Sequence, residues 1–272
     1  MIQDIYPDRL NNVFREAQPK PEDFLLHFNA EGMAMKYEKN RLVFPAASDY
    51  PEKTEARYLF SVSGRGFFLA GNPPVGTWPR CSMRELRELK LSGNADIFEA
   101  YTAYHLWQWY STSVFCGACG GRTVFDQRER AKVCPECGNR IYPRINPAVI
   151  VGVKNGERLL LTRYREGFRH NALIAGFCEI GETAEETVRR EVMEEVGLKV
   201  CHIRYYKSQP WGIASDLLMG FYCEVDGDDT IHRDENELKY AEWIPREEIV
   251  LQPSDYSLTN EMMKRFRDGE EP

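Results

Sequence analysis

The chain has 272 residues, a net charge of −7, 43% hydrophobic and 12% aromatic residues. That length suits two domains or one large one, the apolar share excludes wholesale disorder, and the negative charge argues against general adhesion to nucleic acid or anionic membrane. No run of about 18 apolar residues offers a membrane span, and the polar start MIQDIYPDRLNNVFREAQ is unlike a signal peptide, so a soluble cytoplasmic protein is expected.

Residues 1–30 read as helical or loose. From 33 to 72, the runs MAMKYEKNRLVF, ARYLFSV and GFFLAG, parted by turn residues and ended by Pro73 and Pro74, predict antiparallel strands. Ser82 and Glu85 form a capping box that opens a helix to about Lys90. Residues 95–110, ADIFEAYTAYHLWQWY, predict an aromatic-rich helix whose rings serve core or interface packing. Residues 1–112 are thus expected to form a small α+β domain without a catalytic constellation.

Two CxxC pairs break this pattern. Cys116 and Cys119 are followed, after fourteen residues, by Cys134 and Cys137, and Gly120 and Gly138 follow the pairs. Four thiolates so spaced suit one tetrahedral, closed and structural zinc ion. Two disulfides or a redox pair are the competing readings. Cys81, Cys178, Cys201 and Cys223 are scattered and read as reduced structural cysteines.

Beyond the ribbon, PAVIVGV and ERLLLTRY predict strands, 200–208 and 216–225 predict extended segments, AEWIPREEI follows, and 256–268 predicts a last helix. Between them lies GFCEIGETAEETVRREVMEEVGL, with seven glutamates and two arginines. Like charges at helical spacing cost a few tenths of a kcal/mol per pair. A solvated face is the usual reason for such a run. Here Glu191, Glu194 and Glu195 fall on one side of a helix, and Arg190 stands four residues from both Glu186 and Glu194, placed to hold carboxylates. A hard cation, magnesium or manganese, would supply the missing positive charge.

The series Gly176, Glu182, Arg190-Glu191-Val192, Glu194-Glu195, Gly197-Leu198 resembles the Nudix box at every defined position. Together with the ribbon and the downstream SQPW at 208–211, it resembles the NADH pyrophosphatase (NAD diphosphatase) branch of the Nudix hydrolases. That resemblance implies an N-terminal domain (1–112) for packing and dimerisation, a zinc ribbon (113–142), and a Nudix α/β/α sandwich with a mixed sheet (143–272), hence an α+β protein overall. It implies hydrolysis of NADH or NAD at the diphosphate to nicotinamide mononucleotide and AMP by metal-assisted attack of water, in a homodimer, with NAD-capped RNA as a second substrate.

The same resemblance implies site residues. Glu191, Glu194, Glu195, Glu237 and the Ala175 carbonyl would hold several Mg2+ or Mn2+ ions, Glu194 serving as ligand or base, and Arg190 would orient the carboxylates. Glu129, Tyr142, Phe177, Gln209, Pro210, Trp211 and Asp216 would meet the dinucleotide, Tyr142 and Phe177 by stacking. One departure stands out: GIASD (212–216) follows SQPW where the family has a Pro-Phe-Pro turn, which bears on substrate preference. ADP-ribose or another nucleoside diphosphate is the alternative substrate, and a non-catalytic nucleotide-binding module is the alternative from another class.

Overall fold

A computed structural model describes residues 1–167 and 169–272. The chain divides into two compact units: residues 2–144 with 212–215, and residue 1 with 145–211 and 216–272.

In the first unit, residues 1–30 hold no helix. They contribute the short strands β1 (Leu10–Asn11) and β2 (Phe24–Leu26), while the buried Tyr58, Phe60, Phe67 and Phe68 lie on β3 (Ala56–Val62) and β4 (Arg65–Ala70). These make a four-stranded sheet in the order β1-β3-β4-β2. Its β3–β4 pair is antiparallel, as the runs at 33–72 predict, and β2, from the segment read as helical or loose, pairs with β4 in parallel. Ser82 caps α1 (Met83–Glu88): its hydroxyl accepts the Glu85 N–H at 3.2 Å, and Glu85 accepts the Ser82 N–H at 2.8 Å. The aromatic helix is α2 (Ala95–Thr112); Tyr101, Trp109 and Tyr110 are buried, as core aromatics should be. Three two-residue strands, β5 (Val124–Phe125), β6 (Lys132–Val133) and β7 (Arg140–Ile141), form the antiparallel ribbon sheet.

The second unit is built on six strands: β8 (Asn146–Asn155), β9 (Arg158–Tyr164), β10 (Ile174–Phe177), β11 (Val200–Trp211), β12 (Asp216–Val225) and β13 (Leu238–Pro245). Their order is β11-β12-β8-β9-β13, with β10 paired to β8. The β8–β12 pair is parallel and the others antiparallel, so the sheet is mixed. Alternation along β8 decides the layers. Val149, Val151 and Val153 face Val188, Val192 and Val196 of α3 (Ala184–Val196), whereas Ile150 joins Leu159, Met262 and Phe266 under α4 (Leu258–Arg267). The apolar spacing of the glutamate helix thus serves one core, while Glu185, Glu186 and Glu194 are exposed, Glu191 is half-buried and Glu195 is buried. No helix among the described residues is long and apolar enough to cross a membrane.

Candidate active site and zinc centre

The ribbon cysteines converge. Cys116 and Cys137 sulfurs lie 3.7 Å apart, Cys119 and Cys134 sulfurs 3.5 Å apart, and all four sulfurs lie within 4.8 Å of one another. A tetrahedron with metal–sulfur bonds of about 2.3 Å has edges of about 3.8 Å, whereas a disulfide needs about 2.05 Å. The geometry fits one ion, and all eight cysteines are free thiols. Each knuckle closes on a glycine in the left-handed region: Gly120 (φ +79°) donates to the Cys116 carbonyl, and Gly138 (φ +74°) to that of Cys134. The Ala118 N–H, then the Asn139 amide, donate to the Cys116 sulfur and hold its thiol down at about 6, so a thiolate is ready for a cation.

In the other unit, β10 runs straight into the box. Arg190 is its hub. Its Nε and Nη2 fork onto Glu182 (2.6 and 2.9 Å), its Nη1 donates to Glu191 (2.7 Å) and Glu194 (3.0 Å), and its Nη2 also reaches the Phe177 carbonyl (2.9 Å). The expected Glu186 partner is otherwise engaged. Glu186 closes a capping box with Thr183, accepting its N–H at 2.8 Å, so the loop residue Glu182 takes the guanidinium instead. Arg190 holds the Glu182 carboxyl down at about 2. The helix ends at Gly197 in the left-handed region (φ +69°), where a side chain would also strike His232.

Glu195 differs from its neighbours. It is 2% exposed, and neither carboxylate oxygen has a hydrogen-bond partner among the described residues. Burial first, then the negative charges of Glu237, Glu191 and Asp234, push its pKa up to about 8; the nearby Ala175 amide pulls the other way without reaching hydrogen-bonding geometry. An unpaired buried carboxylate facing other carboxylates is costly unless a cation joins it. This is the observation that fits a divalent ion to these residues. Burial likewise raises Glu191, against which Gly176 packs so closely that an added Cβ would stand 1.9 Å from the carboxyl carbon. The helix carboxylates are not drawn together as tightly as the sulfurs: among the described residues, the cysteines are the one group of three or more ligands that close.

Sequence reasoning missed Tyr164. It ends β9, its phenol is raised by burial and by Glu195, Glu237 and Glu191, and so it belongs to the same electrostatic pocket. No motif marks it, because the contact arises from strand pairing: Tyr164 lies opposite Leu238, next to Glu237.

The residues expected to meet the dinucleotide are spread over both units. Phe177 and Tyr142 are each 53% exposed. Tyr142 donates to Glu129 at 3.0 Å. Gln209 is fully enclosed: its amide donates to the Tyr256 carbonyl (2.8 Å) and accepts the Leu258 N–H (2.8 Å), so its side chain serves the fold. Pro210 is exposed, and Trp211 stacks on Tyr256 at 6.2 Å. Asp216 is buried beside Asn146, and desolvation lifts its carboxyl to about 6.

A mixed sheet between two helices, with a carboxylate-bearing helix capped by a glycine loop, defines a Nudix-type hydrolase domain. The NUDIX domain model matches residues 144–266, and the NADH pyrophosphatase zinc ribbon model matches 111–142. A crystal structure of a NUDIX hydrolase from Nitrosomonas europaea shares the fold at TM-score 0.50 and 22% identity, over 57% of this chain and 90% of that one. The NAD-capped RNA hydrolase NudC of Yersinia pestis (strain Pestoides F) is 34% identical over 66% of this chain and 73% of its own length. NudC of Escherichia coli O157:H7 is 40% identical over 54% of this chain, and the match spans 57% of that relative. The chain belongs to the NADH pyrophosphatase family of Nudix hydrolases, the branch with the zinc ribbon.

Proposed function

We propose that this protein hydrolyses the diphosphate bond of NADH or NAD, giving nicotinamide mononucleotide (reduced or oxidised) and AMP, and removes NAD caps from RNA 5′ ends. The family, with relatives named NAD-capped RNA hydrolase, supports the substrate class. The single observation that carries the chemistry is Glu195, buried with both oxygens unpartnered. Magnesium or manganese ions, when bound, neutralise diphosphate oxygens and lower the pKa of an attacking water. Glu191, Glu195, Glu237 and the Ala175 carbonyl are the ligands. Glu194, half-exposed and held by Arg190, is a further ligand or takes the water's proton. Arg190 fixes the Glu191 and Glu194 rotamers and ties the helix to the end of β10 through the Phe177 carbonyl.

The family resemblance assigns the dinucleotide to Phe177 and Tyr142 as stacking faces, and to Glu129, Pro210, Trp211 and Asp216 as further contacts. Residues 1–112 serve packing and dimerisation; exposed Phe115, Val124 and Tyr142 support an interface at the ribbon of a cytoplasmic homodimer. Chromatography of NADH incubated with Mg2+ or Mn2+ should yield the reduced mononucleotide and AMP. Glu195→Gln should lower turnover by at least about 10³-fold, since a ligand is lost where charge must be stabilised, while the circular dichroism spectrum stays unchanged. Near-normal turnover by that folded variant would refute the ligand assignment.

A further inference from the structure

The ribbon carries a second cluster beside the zinc site. Arg140, on β7, donates through one nitrogen, Nη1, to Asp126 Oδ2 at 2.7 Å and to Glu129 Oε1 at 2.7 Å. The Tyr142 hydroxyl donates to that same Glu129 Oε1 at 3.0 Å. The remaining Asp126 oxygen, Oδ1, accepts the Arg128 and Glu129 N–H groups at 2.7 and 3.1 Å, which fixes the turn that carries Glu129. Three of the four carboxylate oxygens are therefore engaged, and Glu129 Oε2 has no hydrogen bond among the described residues. The Arg128 amide and Arg140 both keep Asp126 below the usual carboxylate range, so the anchor of the cluster stays ionised.

We propose that Arg140 is a positioning residue of the nucleotide site. It fixes the Glu129 carboxylate and, through it, the Tyr142 ring, leaving Glu129 Oε2 as an acceptor for an N–H donor of the substrate's ring system. This rests on the reading that Glu129 and Tyr142 meet the dinucleotide. The Tyr142 hydroxyl is spent on Glu129, so the ring contributes its face and not a hydrogen bond. Without Arg140, Glu129 keeps only that one hydroxyl, and both half-exposed side chains must be ordered when substrate arrives. Arg140 makes no bond to the box carboxylates, so its loss weakens binding of ground and transition state alike and shows in KM with kcat unmoved.

The donor is either the adenine amine or the nicotinamide carboxamide. Steady-state kinetics with NADH, with the analogue whose adenine amine is replaced by a carbonyl, and with the analogue whose carboxamide is a carboxylate separate them. Arg140→Gln should raise KM for NADH about three- to tenfold, the scale of a partly exposed charged contact, with kcat within about twofold and one zinc per chain retained. Arg140→Lys should recover part of the loss, since an ammonium still reaches one carboxylate. Arg140→Gln added to Glu129→Gln should do no further harm. The preference for NADH over whichever analogue lacks the donor should shrink in both single variants. A native KM in Arg140→Gln, alongside a raised KM in Tyr142→Ala, overturns the proposal, and so does loss of zinc from Arg140→Gln. Native KM values in both Glu129→Gln and Tyr142→Ala remove the underlying nucleotide-site reading, and Arg140's role with it.

Discussion

Gly176 and Glu191 show how much of the candidate site depends on a single missing side chain. A methyl group on Gly176 would overlap the Glu191 carboxyl, so Gly176→Ala must push that carboxylate aside. We expect kcat/KM to fall at least about 100-fold, with a stability change of only about 1–3 kcal/mol, the usual scale of local overpacking; kinetics and urea unfolding on one preparation give both. Glu182 offers a pH test. Its folded pKa of about 2 lies below the unfolded value of 4.5, so the folded state binds fewer protons. Its stabilising effect is present above pH 4.5 and disappears as pH falls toward 2. The midpoint difference between the native protein and Glu182→Gln should therefore be clear at pH 6 and vanish near pH 2. The sequence marked both residues by motif, and spacing alone put Glu191, Glu194 and Glu195 on one face. What it could not show is the choice Arg190 makes. Glu186 and Glu182 both lie within reach of a flexible guanidinium, and the capping box with Thr183 decides between them.

At the scale of elements, the β11–β12 turn departs most from the family pattern. Its residues 212–215 cluster with α2 and the rest of the first unit, and Ser215 approaches Gln108 at 3.3 Å. Gly212 is buried so closely against α2 that an added Cβ would stand 2.1 Å from the Tyr101 carbonyl oxygen. Gly212→Ala is expected to cost about 1–3 kcal/mol, because a backbone carbonyl cannot rotate away as a side chain can; a chemical denaturation curve measures it, and a shift below 0.3 kcal/mol (about the error of such curves) would count against the contact. Strands β3, β4, β8, β9, β11 and β12 and helices α1, α2, α3 and α4 were legible because apolar periodicity and capping residues are local signals. The strands β1 and β2 within residues 1–30, and the parallel β2–β4 pair, were not, since pairing partners far apart in the chain leave no mark on either segment.

For the molecule as a whole, the ribbon is the piece least able to stand alone. Its three strands are two residues each, and below about 40 residues a core seldom suffices without a metal or disulfide. Stripping zinc with a strong chelator should speed hydrogen exchange in peptides covering Cys116–Tyr142, while α3 peptides stay protected by their valine core. Equal protection with and without the chelator would show that thiolate ligation contributes little.

The Gln209 amide has a last consequence. The Tyr256 carbonyl and the Leu258 N–H, which it binds, lie at the start of α4, so the end of β11 is fastened from a place nearly fifty residues further along. Removing α4 and the residues before it would take both of these bonds from a sealed-in amide. A deletion that takes α4, and never comes near the carboxylates, would then be felt at Trp211 as a dimmer or red-shifted tryptophan signal.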